Sequence, residues 1–414
     1  MLGWLSALVG RLRALTGWRR LLAAGGVGAA MVLAMPPFSL WPLLFAIFPA
    51  LVLLLDAAID GMPGATPVRR AWRAATTGWA FGFGYFVVGL YWIGDAFLVE
   101  ADKFAWLLPL AVTLLPAGLA LFFGLACAAV SLTWRPDGSR VVALAVVLGA
   151  SEWLRGNILT GFPWMVLGYG LTGTAATSQL ASLVGVQAMS FLAVALFASP
   201  VLWLTRSPTA VAGGRWARLP FAAAAVSIAA AGWGEWRLAA AADPMLAGVR
   251  LRLVQPNIPQ KEKWLGANRQ RIFDTFLALS RPGEVEAAAR GPQVTHLLWP
   301  ESSVPFLLMQ STEGLQAIAA MLPDDAYLIT GSLRMEMRLE GDTEVPVVFN
   351  SLAALDGEAR LVGVYDKQHL VPFGEYLPLQ TLLESIGLEQ LTRLKGGFTA
   401  GITPRRLQVP GLPL

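Results

Sequence analysis

The sequence predicts a polytopic α-helical membrane domain followed by an α/β domain that lies outside the membrane. Of the 414 residues, 56% are hydrophobic and only 14% are charged, whereas about 25% charged is usual for soluble proteins. The long apolar runs fall almost entirely within residues 1–234, and residues 249–414 have an ordinary globular composition. We therefore expect a membrane domain over 1–234, a linker over 235–248 and an α/β domain over 249–414.

Seven apolar segments of the first domain are candidates for membrane-spanning helices. A span needs roughly 20 apolar residues, and the fifth segment is shorter than that. The first segment leads directly into the second across the Pro36-Pro37 pair, which favours an uncleaved span over a signal peptide. The expected spans are 21–35, 38–55, 74–97, 104–134, 141–154, 180–204 and 219–233.

The distribution of Lys and Arg predicts the orientation, because cytoplasmic loops are enriched in these residues. One set of alternate loops carries twelve of them and the other set carries two, Lys103 and Arg155. We expect a cytoplasmic N-terminus and, in a bacterial cell, a periplasmic second domain. These arginines also explain the net charge of +4, and no nucleic-acid motif accompanies it. The twelve are Arg11, Arg13, Arg19, Arg20, Arg69, Arg70, Arg73, Arg135, Arg140, Arg206, Arg215 and Arg218.

Two features inside the membrane domain have alternative explanations. Glu152 and Arg155 lie three residues apart, so they share one face of a helix. They form either an ion pair that seats the helix end or a contact to substrate, and the sequence leaves both open. Four glycines of the third span, Gly78, Gly82, Gly84 and Gly89, are expected to allow close contacts between helices.

Cysteine and histidine usage argues against a metal site. A single cysteine, Cys127, excludes an intrachain disulfide framework and a cysteine-based metal site. His296 and His369 have neither the spacing nor the partners of metal ligands. We expect no metal or cofactor, and we interpret Cys127, which has apolar neighbours, as a packing residue.

The second domain alternates strands and helices and then ends in a hairpin, a pattern typical of an α/β sandwich. Asp356-Gly357 is the expected turn of that hairpin. The expected helices are 266–289 and 312–321, and the expected strands are 249–254, 294–299, 326–332, 347–355 and 361–365.

Glu301 and Lys367 are the candidate chemical groups of this domain. Each follows an apolar strand, and both segments are rich in Pro and Gly and contain few other charges. Sites are commonly built at such strand ends. A carboxylate and an ammonium group brought together there can relay protons to a nucleophile. The alternative is a solvated Glu and a solvated Lys, which is the common state of single charged residues.

Seven stretches of the sequence form a recognisable set of motifs. They are PPFSLWP at 36–42, EWLRG at 152–156, GFPW at 161–164, LGY at 167–169, VQPNIPQ at 254–260, WPE at 299–301 and DKQHLVPFGEYLP at 366–378. In these motifs and in their order, the chain resembles the bacterial apolipoprotein N-acyltransferases, membrane-anchored members of the nitrilase superfamily. The motifs cover nearly the whole chain, which is more specific than any one motif.

The resemblance implies an αββα nitrilase-like sandwich and a catalytic set of Glu, Lys and Cys. Glu301 matches the glutamate, Lys367 the lysine and Glu375 a further active-site carboxylate, and Trp264 matches a substrate-binding tryptophan. The family delivers its cysteine in a Cys-Tyr-Glu segment after the region matching 396–410. The sequence has no such segment, so we expect a C-terminally truncated chain that lacks the nucleophile and is inactive.

The reaction implied by the resemblance is a two-step acyl transfer in lipoprotein maturation at the bacterial inner membrane. A cysteine thiolate takes a fatty acyl chain from a phospholipid, and the α-amino group of a diacylglyceryl-cysteine apolipoprotein then removes it. Glu301 would be the general base, Lys367 would stabilise the oxyanion and lower the pKa of the thiol, and Glu375 would orient Lys367. The expected partners are these two substrates and membrane lipids, with the protein a monomer.

Two other functions are compatible with parts of the sequence. A membrane-anchored amidase or nitrilase-type hydrolase would use the same residues but pass the acyl group to water. A transporter or lipid-binding protein would use only the membrane domain, although the sequence lacks the paired broken helices of many transporters.

Overall fold

The computed structural model of the chain describes residues 3–61, 64–99, 101–205, 215–242, 245–281, 294–380, 385, 397–402 and 406–413. The chain divides into two compact units, Met1–Ala242 and Asp243–Leu414. The first unit is helical, and the second contains a mixed five-stranded sheet.

The described part of the first unit consists of α-helices joined by short turns and 3-10 segments. Several helices begin with proline in the first turn, where its missing N–H leaves no hydrogen bond unmade. The α-helices are α1 (Gly3–Arg13), α2 (Gly17–Met31), α3 (Leu44–Ile59), α4 (Pro67–Gly89), α5 (Ala101–Phe104), α6 (Leu108–Ser131), α7 (Ser139–Asn157), α8 (Ala175–Ser178), α9 (Ala181–Ala198), α10 (Val201–Leu204) and α11 (Leu219–Ala240).

Three helical stretches are long and apolar enough to cross a membrane, namely Trp41–Ile59, Ala101–Ser131 and Ala181–Leu204. A fourth is added if α4 and the 3-10 segment after it, which are bent by 47°, form one span. The other three expected spans coincide with α2, α7 and α11. Within the described ranges those helices do not meet the same length and hydropathy test, so a count of seven spans stays a prediction. Helix α11 also continues past Glu235 into the stretch expected to be linker.

Glycines allow helix α4 to pack closely against its neighbours, as the sequence predicts. A Cβ atom on Gly84 would lie 1.9 Å from the backbone oxygen of Gly25 in α2. A Cβ atom on Gly78 would lie 2.5 Å from the Sγ atom of Cys127 in α6. Cys127 is fully buried, in agreement with its interpretation as a packing residue.

The sheet of the second unit has the strand order β1-β2-β3-β4-β5. The first three strands pair in parallel, and β3, β4 and β5 pair antiparallel. The segments that carry Glu301 and Lys367 directly follow the ends of β2 and β5. The strands are β1 (Leu251–Leu253), β2 (His296–Trp299), β3 (Tyr327–Glu340), β4 (Thr343–Leu355) and β5 (Leu361–Asp366).

The described α-helices of this unit are α12 (Gln260–Lys263), α13 (Arg269–Ser280) and α14 (Thr312–Ala319), and 3-10 segments lie at Gly266–Asn268 and Leu308–Gln310. The side chain of Trp299 is buried between α13 and the sheet, and its Nε1 atom donates to Ser280 Oγ at 2.9 Å. This bond satisfies the one polar atom of a large apolar side chain.

The structure confirms the five expected strands and the hairpin turn at Asp356, and it corrects the bounds of strands β3 and β4 and of helix α13. Strand β3 continues beyond Ser332 to Glu340 and forms a long hairpin with β4, which the sequence analysis missed. Helix α13 spans Arg269–Ser280 only. Pro282 disfavours helical backbone in the residue before it, and the remainder of the predicted helix, 282–289, lies outside the described residues.

The contact between α2 and α4 gives a first prediction. Gly84→Ala places a methyl group against the backbone of Gly25, which cannot move aside as a flexible side chain could, so we expect a loss of about 1–3 kcal/mol in unfolding free energy. Thermal unfolding in detergent measures the change. Gly26→Ala is the matched control, because nothing lies within 4 Å of its added Cβ. Equal effects of the two substitutions would contradict the close contact.

Candidate active site

Lys367 stands between Glu301 and Glu375. Its Nζ atom lies 3.1 Å from Glu301 Oε1 and 3.0 Å from Glu375 Oε1. The structure therefore brings together the three residues that the sequence predicts for the site. One ammonium group is thus shared by two carboxyl groups.

Asn350, which sequence analysis missed, is the fourth member of the cluster. Its Nδ2 atom donates to Glu301 Oε1 at 2.5 Å and to Glu375 Oε1 at 2.8 Å. Asn350 is buried in the interior of β4. A buried amide requires hydrogen-bond partners, and an asparagine within an otherwise apolar strand was the signal available in the sequence. Lys367 and Asn350 thus both donate to the same two carboxylate oxygens.

The position of Glu301 depends on a close approach between two backbones. Glu301 follows the last residue of β2 after one proline, and the chain then turns at Ser302, whose φ is +47°. A Cβ atom on Gly331 of β3 would lie 2.5 Å from Glu301 Cα. Only glycine leaves room for the chain to cross β3 at this point.

Lys367 is fixed at the end of β5 by backbone bonds on both sides. Its N–H donates to Asn350 O at 2.8 Å, and its carbonyl accepts from the N–H of Gly401 at 2.9 Å. The preceding residue, Asp366, accepts from Arg334 Nη2 at 2.6 Å and from Ser351 Oγ at 2.6 Å. The register of β4 against β5 therefore determines that Lys367 faces Asn350.

Glu375 is the most enclosed carboxylate of the cluster and lies in a tight loop. Its Oε2 atom accepts from the N–H of Val371 at 2.7 Å, and its own N–H donates to Val371 O at 2.8 Å. Its carbonyl accepts from the N–H of Phe398 at 2.7 Å. These bonds leave Glu375 little freedom to reorient.

Burial distinguishes the three charged side chains, since Glu301 is 64% exposed, Lys367 30% and Glu375 11%. Burial acts to raise the pKa of Glu301, but the hydrogen bonds from Asn350 and Lys367 and the nearby lysine charges outweigh it, so the pKa lies below its usual value. Burial acts to lower the pKa of Lys367, and the bonds to Glu375 and Glu301 outweigh it, so that pKa is raised. At neutral pH both groups are charged.

Trp264 lies beside Lys263, a second lysine near the cluster. The ring centroid of Trp264 is 5.7 Å from Lys263 Nζ, and the ring is half-buried. Burial lowers the pKa of Lys263, and the charge of Glu301 partly offsets this effect. Lys263 is therefore within electrostatic range of Glu301, and a substrate-binding role for Trp264 stays a prediction.

The buried pair of Glu152 and Arg155 belongs to the first unit and holds a loop. Arg155 Nη2 donates to Glu152 Oε1 at 3.0 Å, and its Nη1 donates to the carbonyls of Phe162 and Trp164 at 2.5 and 2.7 Å. Glu152 Oε2 accepts from the N–H of Leu167 at 2.9 Å. Of the two explanations considered for this pair, the geometry favours the structural one.

The loop held by this pair borders a cavity of about 800 Å³ in the first unit. Its lining is mainly aromatic and aliphatic, and the kinked backbone at Gly185 forms part of it. A cavity of this size and polarity suits an apolar ligand. The aromatic lining residues are Trp153, Trp164, Tyr169 and Phe191.

In the described part of the chain, no group of three or more His, Cys, Asp and Glu side chains is suited to a metal ion. His296 is buried, with Nδ1 2.9 Å from Thr295 Oγ1 and Nε2 2.9 Å from Pro410 O.

Comparison with known proteins identifies the family. Residues 27–199 match the family described as apolipoprotein N-acyltransferase N-terminal domain. Over 397 residues, the chain is 43% identical to the apolipoprotein N-acyltransferase of Rhodopseudomonas palustris and 45% identical to that of Bradyrhizobium diazoefficiens, covering 96% of this chain and 72% of each relative. The Brucella suis protein of the same name is 41% identical over 411 residues, covering 98% of this chain and 74% of that relative.

The chain belongs to the apolipoprotein N-acyltransferase family. This confirms the family predicted from the motifs and makes the chain a member of a transferase family. The family match at 27–199 lies within the helical unit, whereas the cluster of Glu301, Lys367 and Glu375 lies in the second unit.

Removal of the shared ammonium gives a prediction with a defined pH dependence. The lowered pKa of Glu301 contributes stability above its ordinary value of 4.5 that is lost as the pH falls through the folded-state pKa. The raised pKa of Lys367 contributes stability below its ordinary value of 10.5 that is lost as the pH rises through the folded-state pKa. Both contributions are present between these limits.

We therefore expect Lys367→Met to destabilise the sheet by about 1–2 kcal/mol at pH 7, after allowance for its partial exposure. The loss should shrink as the pH falls through the folded-state pKa of Glu301, which lies below the ordinary value of 4.5. Hydrogen exchange of the β4 and β5 amides measures it, with the exposed Lys261→Met as control. A loss independent of pH would contradict the charge interaction.

Proposed function

We propose that the chain acts in N-acylation of lipoproteins, with a phospholipid as acyl donor and the α-amino group of a diacylglyceryl-cysteine apolipoprotein as acceptor. The observation that carries the proposal is the cluster in which Lys367 bridges Glu301 and Glu375. Such a cluster places a base and a fixed positive charge side by side. Membership of a family of apolipoprotein N-acyltransferases supports the substrates.

In the first half-reaction, Glu301 takes the proton of a cysteine thiol. Its high exposure makes it accessible to the thiol, and its lowered pKa means that it is ionised and able to accept a proton at neutral pH. The thiolate attacks the ester carbonyl of the phospholipid, and the ammonium of Lys367 stabilises the developing oxyanion. The ester C–O bond breaks, the lysophospholipid oxygen takes the proton, and the acyl chain remains as a thioester.

In the second half-reaction, the α-amino group of the apolipoprotein attacks the thioester carbonyl. The C–S bond breaks, an amide forms, and the amine proton passes to Glu301 and then to the thiolate. Glu375 acts as a positioning residue, because its enclosed carboxylate is bound by Asn350 and Val371 and keeps Lys367 in place. Trp264 is the proposed contact for substrate.

The nucleophile of this scheme is the cysteine that the family resemblance implies. We infer that the 414-residue sequence does not contain it, since its single cysteine is Cys127. Cys127 lies in α6, is fully buried and packs against Gly78. A thiol enclosed in this way is inaccessible to an ester carbonyl.

The remaining parts of the proposal concern architecture and location. The second unit is proposed to be a nitrilase-like αββα sandwich, with its mixed sheet as one sheet of the sandwich. The proposed location is the bacterial inner membrane, as a monomer with the second unit in the periplasm, which the arginine distribution supports. The aromatic cavity beside Trp164 is a proposed site for an acyl chain.

The catalytic roles are tested in the chain joined to a Cys-Tyr-Glu segment of the kind that the family resemblance implies. Glu301→Gln and Lys367→Ala should each lower acyl transfer to a lipopeptide by roughly 100- to 1,000-fold, as loss of a base or an oxyanion donor does. Glu375→Gln should lower it less. Glu358→Gln, which alters an exposed surface ion pair, is the matched control.

Near-normal transfer in either of the first two variants would remove the assigned roles. Release of free fatty acid with no acylated lipopeptide would instead identify a hydrolase that passes the acyl group to water.

The 414-residue chain itself should form no thioester. We expect no hydroxylamine-sensitive label when it is incubated in membranes with a phospholipid that carries a labelled acyl chain. Cys127→Ala is the control and should give the same background. Label that is present in the original chain and lost in Cys127→Ala would show that Cys127 is reactive and would refute its packing role.

A further inference from the structure

We propose that helices α2 and α4 form a binding site for the phosphate group of a phospholipid headgroup, built around Arg20 and Arg73. The site lies at the end of the helical unit where α2 and α4 begin and α3 ends. It belongs to the first unit, whereas Glu301, Lys367 and Glu375 belong to the second, and it does not depend on the acyl-transfer reaction.

Arg20 is the feature that requires an explanation. Its side chain is only 4% exposed, and its Nε and Nη1 atoms are buried without a hydrogen-bond partner among the described residues. A buried cation without a partner is strongly unfavourable. In the sequence, Arg20 is one of several arginines that flank a predicted span. An exposed arginine would orient the span equally well.

Two arginines of α4 also have buried nitrogen atoms without a hydrogen-bond partner among the described residues. Arg73 Nη2 donates to the carbonyl of Ala57 at 3.0 Å, but its Nη1 atom is buried without a partner in the described structure. Arg70, one helical turn earlier on the same face, has a buried Nε atom in the same state. Arg73 is also close enough to Arg20 for their positive charges to repel each other. The three guanidinium groups therefore offer unused donors in one region.

The charges that act on Arg20 and Arg73 come from other arginines, Arg73 and Arg69. Asp56 in α3 interacts with other residues, and its Oδ2 atom has no hydrogen-bond partner among the described residues. Asp56 is 3.2 Å from Arg140 Nη1 and 3.5 Å from Arg13 Nε, and it accepts from Trp134 Nε1 at 3.0 Å. The exposed Asp60 interacts with Arg140. Of the undescribed residues in the first unit, 1–2, 62–63, 100 and 206–214, only Glu100 is acidic, and in the sequence it lies 27 residues after Arg73. The unused donors of Arg20 and Arg73 are therefore available to an anionic group of a bound molecule.

Two exposed tryptophans locate these arginines at the level of lipid headgroups. Trp18 lies in the first turn of α2 and Trp72 in the second turn of α4, and both indole rings are exposed. Tryptophan is enriched at the membrane–water interface. Guanidinium groups bind phosphate oxygens through paired hydrogen bonds, and basic pockets between membrane helices bind lipid headgroups. The exposed Leu22 and Val68 are available to acyl chains.

The test measures thermal unfolding of the full chain in detergent after lipid removal. Short-chain phosphatidylglycerol at about ten times its Kd should raise the Tm by roughly 3–6 °C. Dioctanoylglycerol, which lacks phosphate, should give no comparable rise, and inorganic phosphate should give a smaller one because it has no acyl chains.

Variants assign the effect to the arginines. Arg20→Met and Arg73→Gln should each remove at least half of the rise with phosphatidylglycerol. Arg19→Met, which alters an exposed neighbour stacked on Trp18, should retain it. In the absence of lipid, Arg20→Met should unfold at a higher temperature than the original chain, because it removes an unpaired buried charge.

Retention of the full rise in both Arg20→Met and Arg73→Gln would overturn the proposal. An equal rise with inorganic phosphate would overturn the assignment to a lipid headgroup, and an equal rise with dioctanoylglycerol would overturn the assignment to phosphate.

Discussion

The ammonium group of Lys367 is shared by two carboxylates, and the arrangement of the second unit depends on that sharing. Two carboxylates this close repel each other unless cations or strong donors lie between them. Lys367 and Asn350 both donate to Glu301 and Glu375. Because the donors and acceptors come from four separate segments, the cluster links the end of β2, the interior of β4, the end of β5 and the following loop.

The surrounding structure keeps these four segments in register. Gly331 lets the chain at Glu301 cross β3, and the Arg334–Asp366 ion pair holds the residue next to Lys367. The exposure of the carboxylates then differs, which separates an accessible Glu301 from an enclosed Glu375. One carboxylate is free to exchange protons while the other maintains geometry, a division that active sites commonly use.

The sequence predicted most of the site but not its connections. Glu301 and Lys367 were recognisable because they follow apolar strands, and the motif resemblance added Glu375. Asn350 was missed because its role depends on the register between β4 and β5, which hydrophobic patterning does not specify. The β3–β4 hairpin was missed although 333–340 alternates apolar and charged residues before Gly341. The burial of Arg20 follows from tertiary packing between α2 and α4 and has no local signal.

A double-mutant cycle between Glu301→Gln and Glu375→Gln tests the shared ammonium most directly, with hydrogen exchange of the β4 and β5 amides as the measure of stability. Each single variant leaves Lys367 one carboxylate partner, whereas the double variant leaves none. The destabilisation of the double variant should therefore exceed the sum of the single effects by about 1 kcal/mol. Additive effects of the two substitutions would contradict a shared Lys367.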